Sequence, residues 1–424
     1  MEPTMTYVDI LIQTIFWTSA ACIVYAYVGY PVLVWCLARL VGRSGQPTAV
    51  DPAELPSLSL LIAAYNEEAV IRARLENALA MDYPPQKLEI VVASDGSSDN
   101  TAKIVDSFAD RGIRLLDYRQ RRGKMAVLNA AVPELKGEIL LLSDANTDID
   151  AAAPKKLARW FQDPAIGVVC GRLILVGRET GKNVDNLYWN YETCLKKCEG
   201  RLRGLLGANG AIYAMRKSLW DSIPAGTIVD DLVIPLRAKL QSGCEIIYDA
   251  EAQAREEISL NVRGEFRRRV RIGAGGYQSL GLLWRLLDPR RGWIAFTFFS
   301  HKILRWVGPF FLLAMLACNL WLFDRPSYRV LLLAQLGFYL LALLALLVPL
   351  PTRLLKPLLL SNMFIGMNAA FLVGFWRWLS GRQRGMWERT ARRAEANGHA
   401  ALDPGPPQMP RASWKTDEAG KGTR

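Results

Sequence analysis

Histidine is almost absent from this chain of 424 residues, in which only His301 and His399 occur. A metal site built from several histidines is therefore disfavoured, and so is a nucleophilic triad that needs a histidine base. A bound metal would instead be held by carboxylates, which suit Mg²⁺ or Mn²⁺. These two cations are the cofactors we expect.

Cysteines are few and show no metal-binding pattern. Seven are present, an odd number, and no two form a C-x-x-C pair. Cys194 and Cys198 are four residues apart, which is a helical spacing, and no histidine or second cysteine pair lies near them in sequence to complete a zinc site. The pattern predicts small buried side chains in a reduced compartment.

Two glycine-rich phosphate-binding motifs are also missing. No G-x-G-x-x-G follows the first predicted strand, at residues 58–63, and G-x-x-x-x-G-K-[ST] occurs nowhere in the chain. These absences disfavour a Rossmann-type dehydrogenase and a P-loop ATPase.

Charge is missing from two regions near the ends of the chain. The composition has 52 Lys and Arg against 40 Asp and Glu, a net charge of +12, and the mean hydropathy of +0.10 is high for a purely soluble enzyme. Residues 10–40 carry no charged side chain before Arg39, a stretch longer than the ~20 residues that span a bilayer. We therefore predict a retained transmembrane anchor over residues 1–43. Arg39 and Arg43 follow the apolar stretch, so the positive-inside rule predicts an outside N-terminus and a cytoplasmic central domain.

The C-terminal region contains further apolar stretches. Residues 289–306 are aromatic but carry His301, Lys302 and Arg305, which predicts an interfacial helix. About three transmembrane helices are predicted over residues 307–378, before a basic, partly disordered tail over 379–424. The apolar runs are Val307–Phe323, Val330–Leu350 and Leu358–Trp376. Three spans would leave the tail outside, whereas its arginines favour the cytoplasm, and the sequence leaves this conflict open.

Between residues 56 and 288, short apolar runs alternate with segments of helical spacing. This alternation is typical of βαβ units and predicts an α/β domain with a mostly parallel sheet. The predicted strands are 58–63, 88–93, 114–118 and 138–143. The predicted helices are 68–80, 101–111 and 124–132. Ligands bind beyond the carboxyl ends of such strands, where Glu67, Asp95 and Asp144 lie, and acidic groups there favour a metal-bound nucleotide.

Four short motifs in this domain resemble glycosyltransferase family 2. They are Ala64–Glu67 (AYNE), Ser94–Thr101 (SDGSSDNT), Gly123–Lys124 (GK) and Ser143–Thr147 (SDANT). In this order and spacing they look like the membrane-embedded branch that includes hyaluronan, cellulose and poly-N-acetylglucosamine synthases. The resemblance covers roughly residues 56–387. It implies a GT-A-type, Rossmann-like fold with a mostly parallel sheet, flanked by transmembrane α-helices.

The resemblance also implies how a UDP-sugar would be held. Tyr65, Asn66 and Glu67 would wrap the uridine and ribose, and Asp95 would accept a hydrogen bond from the uracil ring. These residues would otherwise form ordinary turns after strands, and Asp99 is interpreted only as a helix cap.

Three further residues are assigned to the donor by the same resemblance. Lys124 would contact the base or the diphosphate, although it could equally belong to a solvated basic loop. Asn209 and Gly210 would lie under the donor sugar, where small residues let the substrate approach the backbone.

The metal motif of the family is altered in this chain. Asp144 and Asn146 stand where the family carries Asp-x-Asp, so one carboxylate has become an amide. The carbonyl oxygen of an asparagine is a weaker but legitimate ligand for a hard cation. We assign the metal to Asp144 and Asn146, with Asp148 as a more distant substitute.

Two further segments are assigned to catalysis by the resemblance. Asp231 would act as the base for the acceptor hydroxyl, with Asp230 beside it in the substrate site. Arg271 would offset charge on the departing diphosphate, and Arg268 replaces the family's glutamine in the acceptor region. Ile272 replaces the tryptophan that floors the acceptor site in processive synthases. An acidic helix start and a basic face against lipid headgroups are the alternative interpretations.

The resemblance therefore implies an inverting, metal-dependent glycosyltransferase of the inner (plasma) membrane, with a cytoplasmic catalytic domain. Its expected partners are a UDP-sugar donor, a glycan or lipid-linked acceptor, the lipid bilayer and the subunits of an export or synthesis complex. We expect no nucleic-acid binding, because the chain has no such motif and the excess positive charge lies at the membrane flanks. The alternatives are a single-addition transferase that forms glycolipids and a non-catalytic scaffold that binds nucleotide sugars.

Overall fold

The computed structural model describes residues 6–43, 45, 47, 50–176, 184–257, 262–347 and 356–383. Eight strands in these residues form one sheet in the order β3-β2-β1-β4-β7-β6-β8-β5. The strands are β1 (Leu58–Ala64), β2 (Leu88–Asp95), β3 (Ile113–Tyr118), β4 (Ile139–Asp144), β5 (Asp148–Ile149), β6 (Ile166–Val176), β7 (Tyr213–Arg216) and β8 (Glu245–Glu257).

The first half of the sheet is parallel. Strands β3, β2, β1 and β4 lie side by side in one direction, with Leu58 of β1 opposite Leu88 of β2 and Ile139 of β4. Both faces of this half are covered, which explains why its strands are continuous apolar runs. The four predicted strands and the predicted α/β fold class are confirmed.

The second half of the sheet is mixed. Strand β7 runs antiparallel to both β4 and β6, while β6 and β8 are parallel and the short β5 closes the edge antiparallel to β8. The sequence did not predict these strands.

Helices cover both faces of the sheet and form the flanking apolar segments. They are α1 (Tyr7–Val24), α2 (Tyr30–Leu40), α3 (Glu68–Leu79), α4 (Thr101–Asp106), α5 (Lys124–Ala131), α6 (Ala153–Ala158), α7 (Val184–Arg201), α8 (Asp230–Ser242), α9 (Val262–Leu283), α10 (Trp293–Thr297), α11 (Leu304–Trp321), α12 (Pro326–Leu347) and α13 (Lys356–Leu379). One predicted helix is wrong in length. Residues 101–111 form α4 and then a separate 3₁₀ turn, and the left-handed Gly112 (φ 86°) follows that turn.

Two hydrophobic cores lie on the two faces of the sheet. One face packs against α3, α4 and α6, and its core contains Leu60 of β1 and Ile71 of α3. The other face packs against α5 and α8, and its core continues through Tyr277 of α9 to Trp306 of α11 and Phe371 of α13. The α/β domain and the C-terminal helices α11 and α13 therefore share one continuous apolar core.

Three helical segments are long and apolar enough to cross a membrane: Tyr7–Leu40, Trp293–Trp321 and Pro326–Leu344. A π-helical turn joins α1 to α2 (Tyr25–Gly29), and another joins α10 to α11 (Phe298–Ile303). These helices support a location in a membrane.

The C-terminal helices differ from the predicted boundaries. The segment predicted as an interfacial helix over 289–306 is not separate, because from Trp293 it forms the first half of the helix that ends at Trp321. The third predicted run lies in α13, which is not among the membrane-spanning segments of the described residues. The tail from residue 384 lies outside the described residues.

Candidate active site

Parallel pairing brings three of the predicted motifs to one edge of the sheet. Ala64, the last residue of β1, pairs with Ser94 of β2, and Ala63 pairs with Asp144 at the end of β4. The chain leaves all three strands at this edge, where ligands bind in open α/β sheets.

Lys124 is the centre of the site. Its Nζ lies 2.8 Å from Oδ1 of Asp144 and 2.9 Å from Oδ2 of Asp230, so one ammonium bridges two carboxylates. Burial alone would lower the pKa of Lys124, but the two carboxylates outweigh this effect and raise it. Lys124 therefore stays charged and joins the end of β4 to the start of α8.

Asp231 lies beside this bridge, on the far side of Gly210. A Cβ atom placed on Gly210 would lie 3.7 Å from Oδ2 of both Asp144 and Asp231. Burial, and then the charge of Asp230, raise the pKa of Asp231, although Lys196 and Lys124 oppose the shift. No described residue donates a hydrogen bond to the Asp231 carboxylate, so Asp231 combines a raised proton affinity with an unoccupied acceptor.

The loop that carries Asn209 and Gly210 is tied down from two sides. The Asn209 side-chain nitrogen donates to the backbone oxygen of Gly171 at 2.6 Å, and its oxygen accepts a hydrogen bond from Lys196. Lys196 lies on α7, and no sequence motif surrounds it. Its helical spacing from Glu192 and Glu199 was the only available signal.

Asp95 organises the basic loop that follows β3. The side chain is fully buried, and its two oxygens accept the backbone N–H groups of Arg122 at 2.6 Å and Gly123 at 2.9 Å. The left-handed Gly96 (φ 66°) lets this loop come close, because a Cβ atom there would meet the Arg121 nitrogen at 2.7 Å. The predicted contact of Asp95 with uracil remains a prediction.

The segment after β1 is held against the turn after β2. Asn66 adopts a left-handed conformation (φ 54°), its amide oxygen accepts the Ser98 N–H at 2.8 Å, and its N–H donates to Ser97. The Arg121 guanidinium lies 4.0 Å from the centre of the Tyr65 ring, which forms a cation–π contact at the rim of the site.

Two neighbours complete this wall. The Glu67 N–H donates to the hydroxyl of Thr101 at 2.8 Å, so the third residue of the segment contacts the start of α4. Asp99 accepts the Thr101 N–H at 3.0 Å, but the N-cap position of α4 is Asn100, so the predicted cap residue is wrong by one position.

The altered metal motif is only partly arranged for a cation. Asn146 donates its amide N–H to Glu256 at 2.6 Å, which leaves its carbonyl oxygen available. Asp148 instead accepts a hydrogen bond from Asn77 at 2.7 Å. No group of three or more His, Cys, Asp or Glu side chains in the described part of the chain is arranged to hold a metal.

The two arginines assigned to the site, Arg268 and Arg271, lie on α9 and form no ion pair with Asp144, Asp230 or Asp231 among the contacts of the described residues. Arg268 lies 3.6 Å from Glu265 of its own helix, and Arg271 forms no ion pair or hydrogen bond with any described residue. The helix nevertheless approaches the site, because a Cβ atom on Gly275 would meet Val229, the residue before Asp230, at 2.9 Å. Arg271 lies one turn earlier on the same face of α9 as Gly275.

Comparison with known proteins agrees with this description. The family model described as "Glycosyl transferase family 2" matches residues 59–220. The chain is 28% identical over 241 residues to the poly-β-1,6-N-acetyl-D-glucosamine synthase of Staphylococcus aureus (strain COL), an alignment that covers 54% of this chain and 57% of that protein. The enzyme of the same name from Staphylococcus epidermidis is 27% identical over 237 residues, covering 54% of this chain and 56% of the relative. The chain thus spans little more than half the length of these relatives.

The fold has a close structural counterpart. The mannosyltransferase PcManGT from Pyrobaculum calidifontis, solved in complex with GDP-Man and Mn²⁺, superposes with a TM-score of 0.66 at 21% identity, over 88% of this chain and 99% of that chain. This similarity confirms the GT-A-type fold, and the synthase relatives confirm the resemblance to the poly-N-acetylglucosamine branch. Residues 59–220 of this chain are therefore similar to glycosyl transferase family 2.

Proposed function

We propose that this protein is a membrane-bound inverting glycosyltransferase. It transfers a sugar from a UDP-sugar to a glycan or lipid-linked acceptor and forms a β-linkage, in the synthesis of exopolysaccharide or a cell-envelope glycan. The observation that carries the proposal is the bridge from Lys124 to Asp144 and Asp230, with Asp231 beside it, at the carboxyl ends of the parallel strands. The name of the synthase relatives makes UDP-N-acetylglucosamine the first donor to test.

Asp231 is the proposed base. The acceptor hydroxyl would attack C1 of the donor sugar from the face opposite UDP, and its proton would pass to the Asp231 carboxylate. The C1–oxygen bond to the diphosphate breaks as the new bond forms, so the electron pair leaves with UDP. A raised pKa and a carboxylate without a donor among the described residues suit this role.

The charge of the site supports a requirement for a divalent cation. Asp144, Asp230 and Asp231 contribute three negative charges, and the described cations that act on them include Lys124, Lys196 and, at Asp144, Arg74. These cations already face carboxylates, so a bound diphosphate would add negative charge that they do not offset. Mg²⁺ or Mn²⁺ commonly binds one or two protein ligands and completes its coordination with substrate phosphates and water, which matches the short donor set here.

Asp144 and Asn146 would hold that cation through oxygen atoms. A bound cation would neutralise charge that develops on the diphosphate. Arg271 would add positive charge to the same region by extending from α9 toward the start of α8. Tyr65, Asn66, Glu67 and Asp95 would hold the nucleoside.

The decisive experiment is a donor screen by UDP release. Purified protein in detergent is given UDP-N-acetylglucosamine and other UDP-sugars with Mn²⁺ or Mg²⁺, and in parallel with a chelator. We expect release with at least one donor, with loss of release after chelation. No release with any donor would contradict the proposal and favour a scaffold that binds nucleotide sugars.

Sizing the product of the same reaction separates polymer synthesis from single addition. Ile272, which is 38% exposed on α9, offers no aromatic platform for a growing chain end and supports single addition. The arrangement of flanking helices supports a translocating synthase. A ladder of products indicates the synthase, and one discrete product indicates the single-addition transferase.

The proposed location is the inner membrane, with several spans and a cytoplasmic catalytic domain. The three apolar helices support this proposal, as do Arg39 and Arg43 after the first of them. The acceptor, the bilayer and the subunits of an export or synthesis complex are the proposed partners.

A further inference from the structure

One face of α7 connects the site to the membrane helices. Glu192, Lys196 and Glu199 are spaced by four and three residues, so they lie along one stripe of the helix. Lys196, in the middle, donates to the Asn209 side chain and lies 3.4 Å from the backbone oxygen of Ala208. The two glutamates instead contact the helix Trp293–Trp321.

Both glutamates bind residues of the helix Trp293–Trp321. Glu199 lies 2.6 Å from Nδ1 of His301, and Glu192 lies 2.6 Å from Nη1 of Arg305 and 3.3 Å from the other ring nitrogen of His301. Tyr30 of the N-terminal helix also donates to Glu199, at 2.7 Å. The charged atoms of these residues are almost wholly removed from solvent: Glu199 is 0%, His301 2% and Arg305 5% exposed.

A π-helical turn in the helix Trp293–Trp321 carries part of this network. The π-helical turn Phe298–Ile303 contains His301, and a hydrogen bond of 3.0 Å joins Ser300 in this turn to Tyr25 in the π-helical turn of the N-terminal helix. Burial alone would raise the pKa of Glu192, but Arg305 and His301 outweigh it and hold this pKa well below its usual range. The ion pairs therefore persist and fix α7 against both membrane helices.

We propose that Lys196 is a positioning residue for sugar transfer, and that the membrane helix Trp293–Trp321 holds it in place through Glu192 and Glu199. Lys196 fixes Asn209, and the next residue, Gly210, separates Asp144 from Asp231. A shift of this loop would move the space in which the donor sugar lies between the two carboxylates. The inference rests on the proposed function.

The geometry explains why the effect should fall on chemistry and not on UDP binding. Asn209 has its amide nitrogen bound to Gly171 and its oxygen bound to Lys196, so loss of Lys196 leaves one side of the loop unfixed. The residues assigned to the nucleoside lie after β1 and β2 and do not contact Lys196. Displacement of reacting atoms by about 1 Å can cost ~100-fold in rate.

The first test compares Lys196→Met with Lys196→Arg and with Lys197→Met. Lys197 is the next residue of α7 and is exposed. Once the donor screen has established transfer by the wild type, kcat, KM and the dissociation constant of UDP are measured for each variant. We expect Lys196→Met to lower kcat by about 10- to 100-fold with UDP affinity within twofold. Lys196→Arg should recover most of kcat, and Lys197→Met should match the wild type.

A double-mutant cycle with Asn209→Ala makes the test specific. If Lys196 acts through Asn209, the double variant Lys196→Met/Asn209→Ala should be no slower than the slower single variant. Wild-type kcat in Lys196→Met, or fully multiplicative losses in the double variant, would overturn the inference while the proposed function stands. A wild type without transfer would overturn both.

The membrane anchor is tested by removing both charges of one ion pair. Glu192→Gln/Arg305→Met leaves no unpaired buried charge, whereas either single change does. We expect the double variant to lower kcat with UDP affinity retained, as in Lys196→Met. A double variant that binds UDP and has wild-type kcat would contradict the role of the membrane helix, and if the variant does not fold, the Lys196 series decides.

Discussion

Asp230 and Asp231 are adjacent in sequence but have different surroundings. Asp230 is ion-paired to Lys124 at 2.9 Å, whereas Asp231 faces Gly210, and burial and the charge of Asp230 raise its pKa. Adjacent carboxylates with different environments can take different roles. Here the paired carboxylate supports the site, and the unpaired one is suited to accept a proton.

The pH dependence of transfer follows from the raised pKa of Asp231. A base must be deprotonated, so kcat/KM should fall as the pH drops through the pKa of Asp231. Because this pKa is raised, the acid limb should lie above ~3.9, the ordinary aspartate value. The measurement is kcat/KM against pH, with UDP affinity at each pH as the control for folding. A rate that stays constant down to pH ~4 while UDP still binds would contradict the assignment.

Protonation of Asp231 should raise the stability of the fold, whereas it should lower the rate of transfer. A carboxyl whose pKa is raised by folding binds its proton more tightly in the folded state than in the unfolded state. As the pH falls from the raised pKa of Asp231 toward the ordinary pKa of an aspartate, protonation of Asp231 therefore stabilises the fold. The ionised form, which the proposed base requires, lowers the free energy of unfolding. The proposed role of Asp231 as a base and the stability of the fold therefore favour opposite protonation states.

At the scale of elements, helices α9 and α13 cross at very close range. A Cβ atom on Gly374 of α13 would lie 2.8 Å from the backbone nitrogen of Ala274 and 2.9 Å from the backbone oxygen of Val270, both in α9. A Cβ on Gly273 would in turn meet Phe371 at 3.0 Å. Small residues on both helices let the backbones approach closely.

We expect Gly374→Ala to separate these helices and to lower the free energy of unfolding by about 1–3 kcal/mol, because backbone atoms cannot move aside as a side-chain end can. Gly366→Ala is the matched control in the same helix, since a Cβ there meets nothing within 4 Å. It should be neutral or stabilise by up to ~1 kcal/mol through helix propensity. Denaturant titration in detergent measures both changes. Equal stability of the two variants would refute the close crossing.

The parallel half of the sheet could be predicted from the sequence because its signal is local. Buried strands such as β1 are short apolar runs, and a helix of matching spacing follows each of the first three. Strands β6, β7 and β8 were missed because their pairing is mixed and depends on distant residues. Helix 101–111 was overextended because its spacing continues beyond Asp106 into the 3₁₀ turn.

The site was predictable to a similar extent. Four of the predicted site residues, Asp144, Lys124, Asp230 and Gly210, lie close together, and their roles remain predictions. Lys196 belongs to no motif, and its role depends on how α7 packs, which no local pattern encodes. Among the described contacts, Arg271 and Arg268 form no ion pair with these carboxylates, and α9 comes near the site at Gly275. Their assigned roles remain predictions.

At the scale of the whole molecule, the low charge of the two end regions has a structural explanation. The apolar helices lie beside an ordinary charged domain, and the core on one sheet face continues through α9 to Trp306 and Phe371. The α/β domain is therefore not a separate body on a flexible tether. Its orientation in the membrane follows from the orientation of those helices.

Orientation can be measured at Cys194, which is exposed, whereas the other cysteines are buried or half-buried. The central domain is proposed to be cytoplasmic, so a membrane-impermeant maleimide should label Cys194 in inverted membrane vesicles and not in right-side-out vesicles. Cys194→Ser serves as the control, because labelling that is absent from this variant must have been on Cys194. Labelling from the outside of right-side-out vesicles would contradict the proposed topology.

The most direct test of the account is Asp231→Asn. This change keeps the size of the side chain but removes its ability to accept a proton, and Asp106→Asn, on the exposed surface of α4, is the matched control. Transfer and UDP affinity are measured on the same purified preparations. We predict that Asp231→Asn lowers the transfer rate by about 100- to 10,000-fold, with UDP affinity within twofold and with wild-type behaviour in Asp106→Asn. Full turnover in Asp231→Asn would show that another group takes the proton.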